Sequence, residues 1–175
     1  MELIRGISGI RGIVGKTLTN RVLSNHVQAF SKIQEDGDIL LARDSRIHGD
    51  KFINEACHTL QKCGRTIHNF NIIPTPTAQF LVDKQKFAGG IVITASHNPK
   101  EWNGLKFIDA DGCFLDYNKN MHLFKIADNI ALEEKKIGEI ITINKGYATH
   151  VKHTLNISVI NSKAIIKRNF LVVVD

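Results

Sequence analysis

Hydrophobic positions follow two different periods along the chain, and their alternation predicts an α/β fold. Short apolar runs at 39–42 and 89–93 are typical of buried strands, and we also predict a strand over 66–73. Apolar residues at helical spacing predict helices from about Thr19, over 50–63, from Pro74 to about Lys86, and over 118–134. The strand, loop and helix units alternate as they do in α/β folds.

The stretch 89–107 joins a predicted strand to a loop with reactive side chains. The pairs Asn98-Pro99 and Asn103-Gly104 predict that the backbone reverses there. Ligands of open α/β sheets bind at the carboxyl ends of strands. The hydroxyl of Ser96, followed by His97 and Asn98, is therefore placed for chemistry, although an ordinary capped turn is the alternative. Adjacent serine and histidine do not by themselves form a nucleophile and base pair, so we do not predict a hydrolase.

Glycines at positions 6, 9, 12 and 15 surround Arg11 near the start of the chain. Their spacing does not fit the dinucleotide fingerprint. We expect a glycine-rich loop that brings Arg11 close to an anion. A glycine-rich turn with a solvated arginine remains the alternative.

The segment from Thr94 to Pro99, with Asn103-Gly104 and Lys106 behind it, resembles the phosphoserine loop of the α-D-phosphohexomutases, the phosphoglucomutase/phosphomannomutase family. Three further segments resemble the N-terminal domain of that family: Gly9-Ile10-Arg11-Gly12, Arg43-Asp44-Ser45-Arg46 and Pro74-Thr75-Pro76. Two positions depart from the pattern, because many members have threonine in place of Ile7 and of Ser45. The resemblance implies a mixed β-sheet between helices.

The resemblance also implies a chemistry, the reversible transfer of a phosphoryl group between O1 and O6 of a hexose phosphate. Ser96 would carry the phosphoryl group, and Lys106 and Arg11 would neutralise its charge. Lys106 is also a candidate for proton transfer. His97 and Asn98 would hold the substrate or the loop, with Arg11 as a further substrate contact. An aspartate between Arg43 and Arg46 suggests an ion-paired brace near this cleft.

Two cofactors follow from the same resemblance, Mg²⁺ and a hexose 1,6-bisphosphate that serves as intermediate and activator. The family's Mg²⁺ bridges the phosphoserine and three aspartates of the second domain, so Ser96 would be the metal ligand from this chain. Asp36-Gly37-Asp38 imitates the start of the family's metal loop, but a strand follows it directly, and we predict a turn. We also predict a hairpin turn, rather than a calcium loop, at Asp109-Ala110-Asp111-Gly112.

The expected partner is a phosphosugar, whose identity depends on family domains that lie outside this segment. A phosphomannomutase/phosphoglucomutase is favoured over a phosphoglucosamine mutase, because Thr94 precedes Ala95 where the glucosamine branch tends to have serine. A rival hypothesis for the isolated chain is a domain that binds phosphate without catalysing any reaction.

We predict two units, an N-terminal domain over 1–145 and the truncated start of a second α/β domain over 146–175. The first would end with an edge strand within 138–144. The second would contain a helix over 150–168 and a buried strand over 170–175. Because a lone strand has no partner, we expect the polypeptide to be cut inside its second domain. We expect it to be inactive alone, because the resemblance implies that the other domains supply the metal and sugar sites.

Composition narrows the class of protein. Of 175 residues, 43% are hydrophobic and 23% charged, as in soluble globular proteins, and no apolar run approaches the length of a membrane span. The first residues lack the apolar core of a signal peptide, so we expect a cytoplasmic protein that does not bind membranes. The charge of +6 is spread along the chain without interleaved aromatic residues, which argues against nucleic-acid binding.

Cys57, Cys63 and Cys113 are predicted to be buried free thiols. The sequence does not indicate an oligomeric state.

Overall fold

The computed structural model describes residues 2–131 and 137–174. Within these ranges it contains seven strands, β1 Ile4–Gly6, β2 Gly9–Ile13, β3 Ile39–Arg43, β4 Ile67–Ile72, β5 Gly89–Ile93, β6 Trp102–Asp109 and β7 Ile140–Thr142. The same ranges contain six helices, α1 Asn20–Ile33, α2 Gly49–Lys62, α3 Thr75–Gln85, α4 Tyr117–Asn129, α5 Tyr147–Leu155 and α6 Ser162–Arg168. The predicted α/β class is therefore confirmed.

The strands form one mixed sheet in the order β1-β2-β6-β5-β3-β4-β7. Strands β5, β3, β4 and β7 pair in parallel, whereas β1, β2 and β6 join the sheet by antiparallel pairing. The parallel strands β3 and β5 are buried along their whole length, as their unbroken apolar runs predict. The carboxyl ends of β3 and β5 consequently lie side by side, with β6 and β2 next to them.

Helices cover both faces of the sheet. Side chains of successive strand residues point to opposite faces, and β3 shows this directly. Ile39 and Leu41 pack in the apolar cluster that includes α1, α2 and α4. Leu40 and Ala42 pack in the second cluster, which includes α3. The sheet therefore lies between two helical layers, as predicted.

Two predicted loops are strands in the structure. Gly9–Ile13 is β2, the second arm of a hairpin with β1, rather than a glycine-rich loop. Asn103 and Gly104 lie inside β6, so the chain reverses before them. The reason is the close approach of β2, since a Cβ on Gly104 would lie 2.3 Å from the carbonyl oxygen of Ile10. Glycine serves here for close packing and not for a turn.

The C-terminal region departs most from prediction. The edge strand is confirmed as β7, but the helix expected over 150–168 is divided into α5 and α6. α5 contacts α3, where the Thr77 hydroxyl lies 2.9 Å from Nδ1 of His150. Phe170 to Val174 form no strand and are exposed, which corrects the predicted buried strand. A strand needs a pairing partner, and the described residues offer none to this segment.

Other local predictions have mixed outcomes. α1 begins as expected, because the Thr19 hydroxyl accepts a hydrogen bond from the amide of Val22. The helix predicted over 118–134 ends at Asn129, and 132–136 lie outside the described residues. The three cysteines form no disulfide among the described residues, but only Cys57 is buried, whereas Cys113 is exposed. No helix among the described residues is long and apolar enough to span a bilayer.

His26 is a buried histidine in α1, and its environment favours the neutral ring. It is 2% exposed, its Nδ1 lies 2.7 Å from the carbonyl oxygen of Val22, and its Nε2 lies 3.3 Å from a guanidinium nitrogen of Arg5. Burial is the main cause that lowers the pKa of His26 from 6.5 to about 4, and the charge of Arg5 lowers it further.

We therefore predict an acid-dependent loss of stability that is due to His26. Between pH 6.5 and about 4 the unfolded chain binds a proton that folded His26 does not, so the free energy of unfolding falls as the pH falls through this window. The expected loss is about 3 kcal/mol. Denaturant unfolding at several pH values should show a flatter profile for His26→Gln than for wild type. His58→Gln, an exposed control in α2, should keep the wild-type slope, and equal slopes for all three proteins would contradict the prediction.

Candidate active site

The loop that carries Ser96 lies at the carboxyl end of β5, as the sequence predicts. We call residues 94–101, between β5 and β6, the serine loop. The adjacent strand β3 also ends here, because the amide of Asp44 donates to the carbonyl oxygen of Ile93 over 3.0 Å. The segment after β3 therefore lies beside the serine loop.

Ser96 is exposed and has an unusual backbone conformation. Its φ of 52° lies in the left-handed region, which non-glycine residues adopt only when the surroundings hold them there. Its amide donates to the hydroxyl oxygen of Thr94 over 3.0 Å, and the Thr94 hydroxyl donates to Asp44 over 2.7 Å. Thr94 is buried and its hydroxyl is hydrogen-bonded, whereas Ser96 is exposed. Of these two hydroxyl-bearing residues, Ser96 is therefore the accessible one.

Arg46 holds the backbone of the serine loop. Its Nη2 donates to the backbone carbonyl oxygens of Ser96 and Asn98 over 2.7 and 2.6 Å. Its Nη1 donates to those of Pro99 and Trp102 over 2.8 and 3.1 Å. The four carbonyls lie on both sides of the turn. Sequence reasoning assigned Arg46 to an ion-paired brace and missed this role, because carbonyl acceptors leave no signature in a sequence.

The brace itself is present in part. Asp44 pairs with Arg46, whose Nε lies 3.2 Å from its carboxylate, and it also accepts the amide of Arg46 over 3.0 Å. Arg43 instead forms an ion pair with Asp50 over 2.6 Å. Toward Asp44 it donates a hydrogen bond to the backbone carbonyl oxygen and not to the carboxylate. The prediction of an aspartate flanked by two ion pairs is therefore right for Arg46 and wrong for Arg43.

Arg11 reaches the serine loop from β2. Its Cα is paired with Gly104 of β6, and its Nη1 donates to the side-chain oxygen of Asn98 over 3.4 Å. Its Nη2 donates to the hydroxyl of Ser8 over 3.1 Å. The structure thus brings together two predicted site residues, Arg11 and Asn98, that are 87 positions apart.

Lys106 lies on the same face of the sheet as Arg11, two positions beyond Gly104. Burial lowers the pKa of Lys106, and the neighbouring charge of Arg11 lowers it further. Its Nζ also lies 5.4 Å from the centre of the Phe114 ring. Among the described residues, Lys106 makes no hydrogen bond to Ser96, and the exposed side chain of His97 makes none to any group. The two cations nevertheless form a positive surface beside the loop.

The side chains of this part of the chain do not form a metal site. No group of three or more histidine, cysteine, aspartate or glutamate side chains that could hold a metal ion occurs in residues 2–131 and 137–174. Asp36, Gly37 and Asp38 lie in a bend before β3, as predicted, and not in a metal loop. Mg²⁺ needs several oxygen ligands in near-octahedral geometry, and Ser96 would supply one of them.

Comparison with known proteins decides the family. The family model described as phosphoglucomutase/phosphomannomutase, alpha/beta/alpha domain I, matches residues 2–134. The chain belongs to this family. Among solved structures, a Thermus thermophilus protein provisionally described as a phosphomannomutase superposes with a TM-score of 0.75 at 26% identity, over 88% of this chain and 36% of its own. The fold of this phosphohexomutase domain is therefore that of domain I.

Curated relatives have related names. A phosphoglucosamine mutase of Prochlorococcus marinus subsp. pastoris is 39% identical over 113 residues, which are 64% of this chain and 25% of the relative. A phosphoglucosamine/phosphogalactosamine mutase of Sulfurisphaera tokodaii is 30% identical over the whole chain, which spans 39% of that relative. This phosphohexomutase chain thus spans roughly a quarter to two fifths of the length of these relatives.

We predict that Asp44 stabilises the site through the loop backbone. Asp44→Ala removes the acceptor of the Thr94 hydroxyl and of two Arg46 donors, so the free energy of unfolding should fall by about 1–3 kcal/mol. Denaturant unfolding of the chain measures this change. Asp36→Ala, which removes an exposed carboxylate, is the control and should leave stability unchanged. A wild-type midpoint for Asp44→Ala would show that these bonds do not stabilise the fold.

Proposed function

We propose that the full-length protein is a phosphohexomutase that interconverts hexose 1-phosphate and hexose 6-phosphate through a phosphoserine at Ser96. One observation carries the proposal. Ser96 is an exposed hydroxyl whose own amide and carbonyl are both hydrogen-bonded, by Thr94 and Arg46, while Arg11 contacts the same loop. Such fixed placement beside positive charge suits a group that receives and releases a phosphoryl group.

In the proposed reaction, phosphorylated Ser96 gives its phosphoryl group to a sugar hydroxyl. The sugar oxygen forms a bond to phosphorus while the bond from phosphorus to Ser96 Oγ breaks, which yields a hexose 1,6-bisphosphate. After the sugar reorients, Ser96 takes the phosphoryl group from the other end. Arg11 and Lys106 offset negative charge on the phosphoryl oxygens during both transfers.

Lys106 is also our candidate for proton transfer. The attacking sugar hydroxyl must lose its proton, and Ser96 Oγ must gain one as its bond to phosphorus breaks. A neutral Lys106 amine can accept the first proton, and the ammonium group that results offsets phosphoryl charge and can supply a proton to Oγ. Burial and the charge of Arg11 both lower the pKa of Lys106, so its neutral form becomes more accessible than that of an exposed lysine. We assign His97 and Asn98 to substrate contact, since Asn98 already accepts a hydrogen bond from Arg11.

We expect the reaction to require Mg²⁺, which offsets phosphoryl charge when bound. The described residues do not complete a site for it, and Ser96 would contribute one ligand through its phosphate. The 175-residue chain alone should therefore show no mutase turnover, although it could still bind phosphate. A cytoplasmic location and the lack of nucleic-acid or membrane partners remain predictions.

Two substrate classes are candidates. The presence of Thr94 before Ala95 favours mannose or glucose phosphates, as in the sequence-based prediction. The names of the relatives from Prochlorococcus and Sulfurisphaera favour an amino sugar phosphate. Assays of the full-length protein with glucose 1-phosphate, mannose 1-phosphate and glucosamine 1-phosphate separate the two by their kcat/KM values.

The phosphoserine can be tested directly. Incubation of the full-length protein with a hexose 1,6-bisphosphate, followed by intact-mass measurement and peptide mapping, should place one phosphate on Ser96. Ser96→Ala should remain unmodified, because the Thr94 hydroxyl is buried and hydrogen-bonded to Asp44. A phosphate that maps to Thr94 or Ser8 would overturn the assignment.

The role of Lys106 can be tested by kinetics. In the full-length protein, Lys106→Ala should lower kcat by at least ~10²-fold, because charge neutralisation and proton transfer are lost together. Lys51→Ala, which removes an exposed amine on α2, is the matched control and should keep wild-type kinetics. A change in KM alone would contradict the proposed role in phosphoryl transfer.

A further inference from the structure

We propose that Arg46 is a positioning residue for phosphoryl transfer. Through the loop backbone it fixes the direction in which the side chain of Ser96 leaves the main chain, and it does not bind phosphate. This inference rests on the proposed function and adds to it a role for Arg46. It assigns the orientation of the nucleophile to one guanidinium that lies outside the serine loop itself.

The hydrogen-bonding capacity of Arg46 is fully used within the protein. A guanidinium has five N–H donors and no acceptor. Nη1 and Nη2 each donate to two carbonyl oxygens of the loop region, and Nε donates to Asp44. The side chain is 14% exposed, and its charge is paired with that of Asp44. A phosphate could bind Arg46 only by displacing one of these acceptors, so binding substrate is not its role.

The loop depends on these donors because its backbone has few bonds of its own. The amide of Asn98 donates to the carbonyl oxygen of Ala95 over 3.1 Å, and that of Trp102 donates to Pro99 over 3.0 Å. The carbonyls of Ser96 and Asn98 lie in the loop between β5 and β6, outside any helix or strand, and Arg46 donates to both. The planar guanidinium of Arg46 donates to carbonyls on both sides of the turn, and these hydrogen bonds restrict the motion of the turn.

This arrangement constrains the backbone of Ser96. Its carbonyl accepts from Arg46 and its amide donates to Thr94, so the peptide groups on both sides of its Cα are held. The left-handed φ of 52° persists because both are held. The direction in which the Cα–Cβ bond of Ser96 leaves the backbone is therefore set by Arg46 and Thr94 together. A displacement of a reacting atom by about 1 Å can cost about 10²-fold in rate.

The test compares Arg46→Lys and Arg46→Ala in the full-length protein with Arg21→Ala, which removes an exposed arginine on α1. Lysine keeps the charge but has three donors on a single nitrogen and cannot span four carbonyls. We expect kcat to fall by about 10- to 100-fold for Arg46→Lys and by at least as much for Arg46→Ala, with KM within about 3-fold of wild type. Arg21→Ala should be unchanged. Free guanidinium ion should restore part of the kcat of Arg46→Ala and should not affect Arg21→Ala.

Three results would overturn the proposal. Wild-type kcat in Arg46→Lys would mean that charge alone matters. A rise in KM without loss of kcat would mean that Arg46 binds substrate. Failure of guanidinium ion to restore any activity to a folded Arg46→Ala protein would mean that its effect is only structural. If Arg46→Ala does not fold, Arg46→Lys decides by its kcat and KM.

A second readout separates this proposal from the proposed function. Hydrogen exchange of the amides in residues 95–102 reports the order of the loop whether or not the protein is a mutase. We expect faster exchange in both Arg46 variants and wild-type exchange in Arg21→Ala. If the wild-type protein turns over no hexose phosphate, the proposed function fails. If the wild type is active and both Arg46 variants have wild-type amide exchange rates in residues 95–102 and wild-type kcat, the Arg46 proposal fails.

Discussion

The serine loop depends on the interaction between the guanidinium of Arg46 and four backbone carbonyls. A loop that presents a nucleophile must be exposed at its tip, yet its carbonyls need donors as it leaves the sheet. Arg46, three residues after β3, supplies these donors, and Asp44 orients its guanidinium. The same carboxylate accepts the Thr94 hydroxyl, which in turn accepts the Ser96 amide. A single ion pair thus supports the backbone of Ser96 from both sides.

The sheet supplies the rest of the site by bringing distant segments together. β2 lies so close to β6 that position 104 has no room for a Cβ, and this contact places Arg11 beside Asn98. Lys106 follows on the same face, where partial burial and Arg11 both lower its pKa. Positive charge therefore accumulates at the carboxyl ends of β5 and β3, the edge at which α/β sheets bind ligands. The packing that stabilises the fold is also the packing that builds this positive surface.

The sequence predicted elements that depend on local patterns and missed those that depend on partners. The apolar runs of β3 and β5 and the cap of α1 at Thr19 are local, and the structure confirms them. Asn103-Gly104 was misassigned to a turn, because its strand conformation is imposed by β2. Phe170 to Val174 were misassigned to a buried strand, because burial requires a partner that a sequence pattern cannot show. The resemblance singles out Ser96, Arg11 and Asn98, and the structure places Arg11 against the loop that carries the other two. The contacts of Arg46 were missed because its acceptors are backbone atoms.

A crystal structure of the full-length protein with phosphorylated Ser96 would test the account most directly. The account predicts that Arg46 keeps its hydrogen bonds to the carbonyls of Ser96, Asn98, Pro99 and Trp102, and that Arg11 and Lys106 face the phosphate. It also predicts that Ser96 keeps a left-handed φ near the present value of 52°. A guanidinium of Arg46 that has left these carbonyls to bind the phosphate would contradict the account.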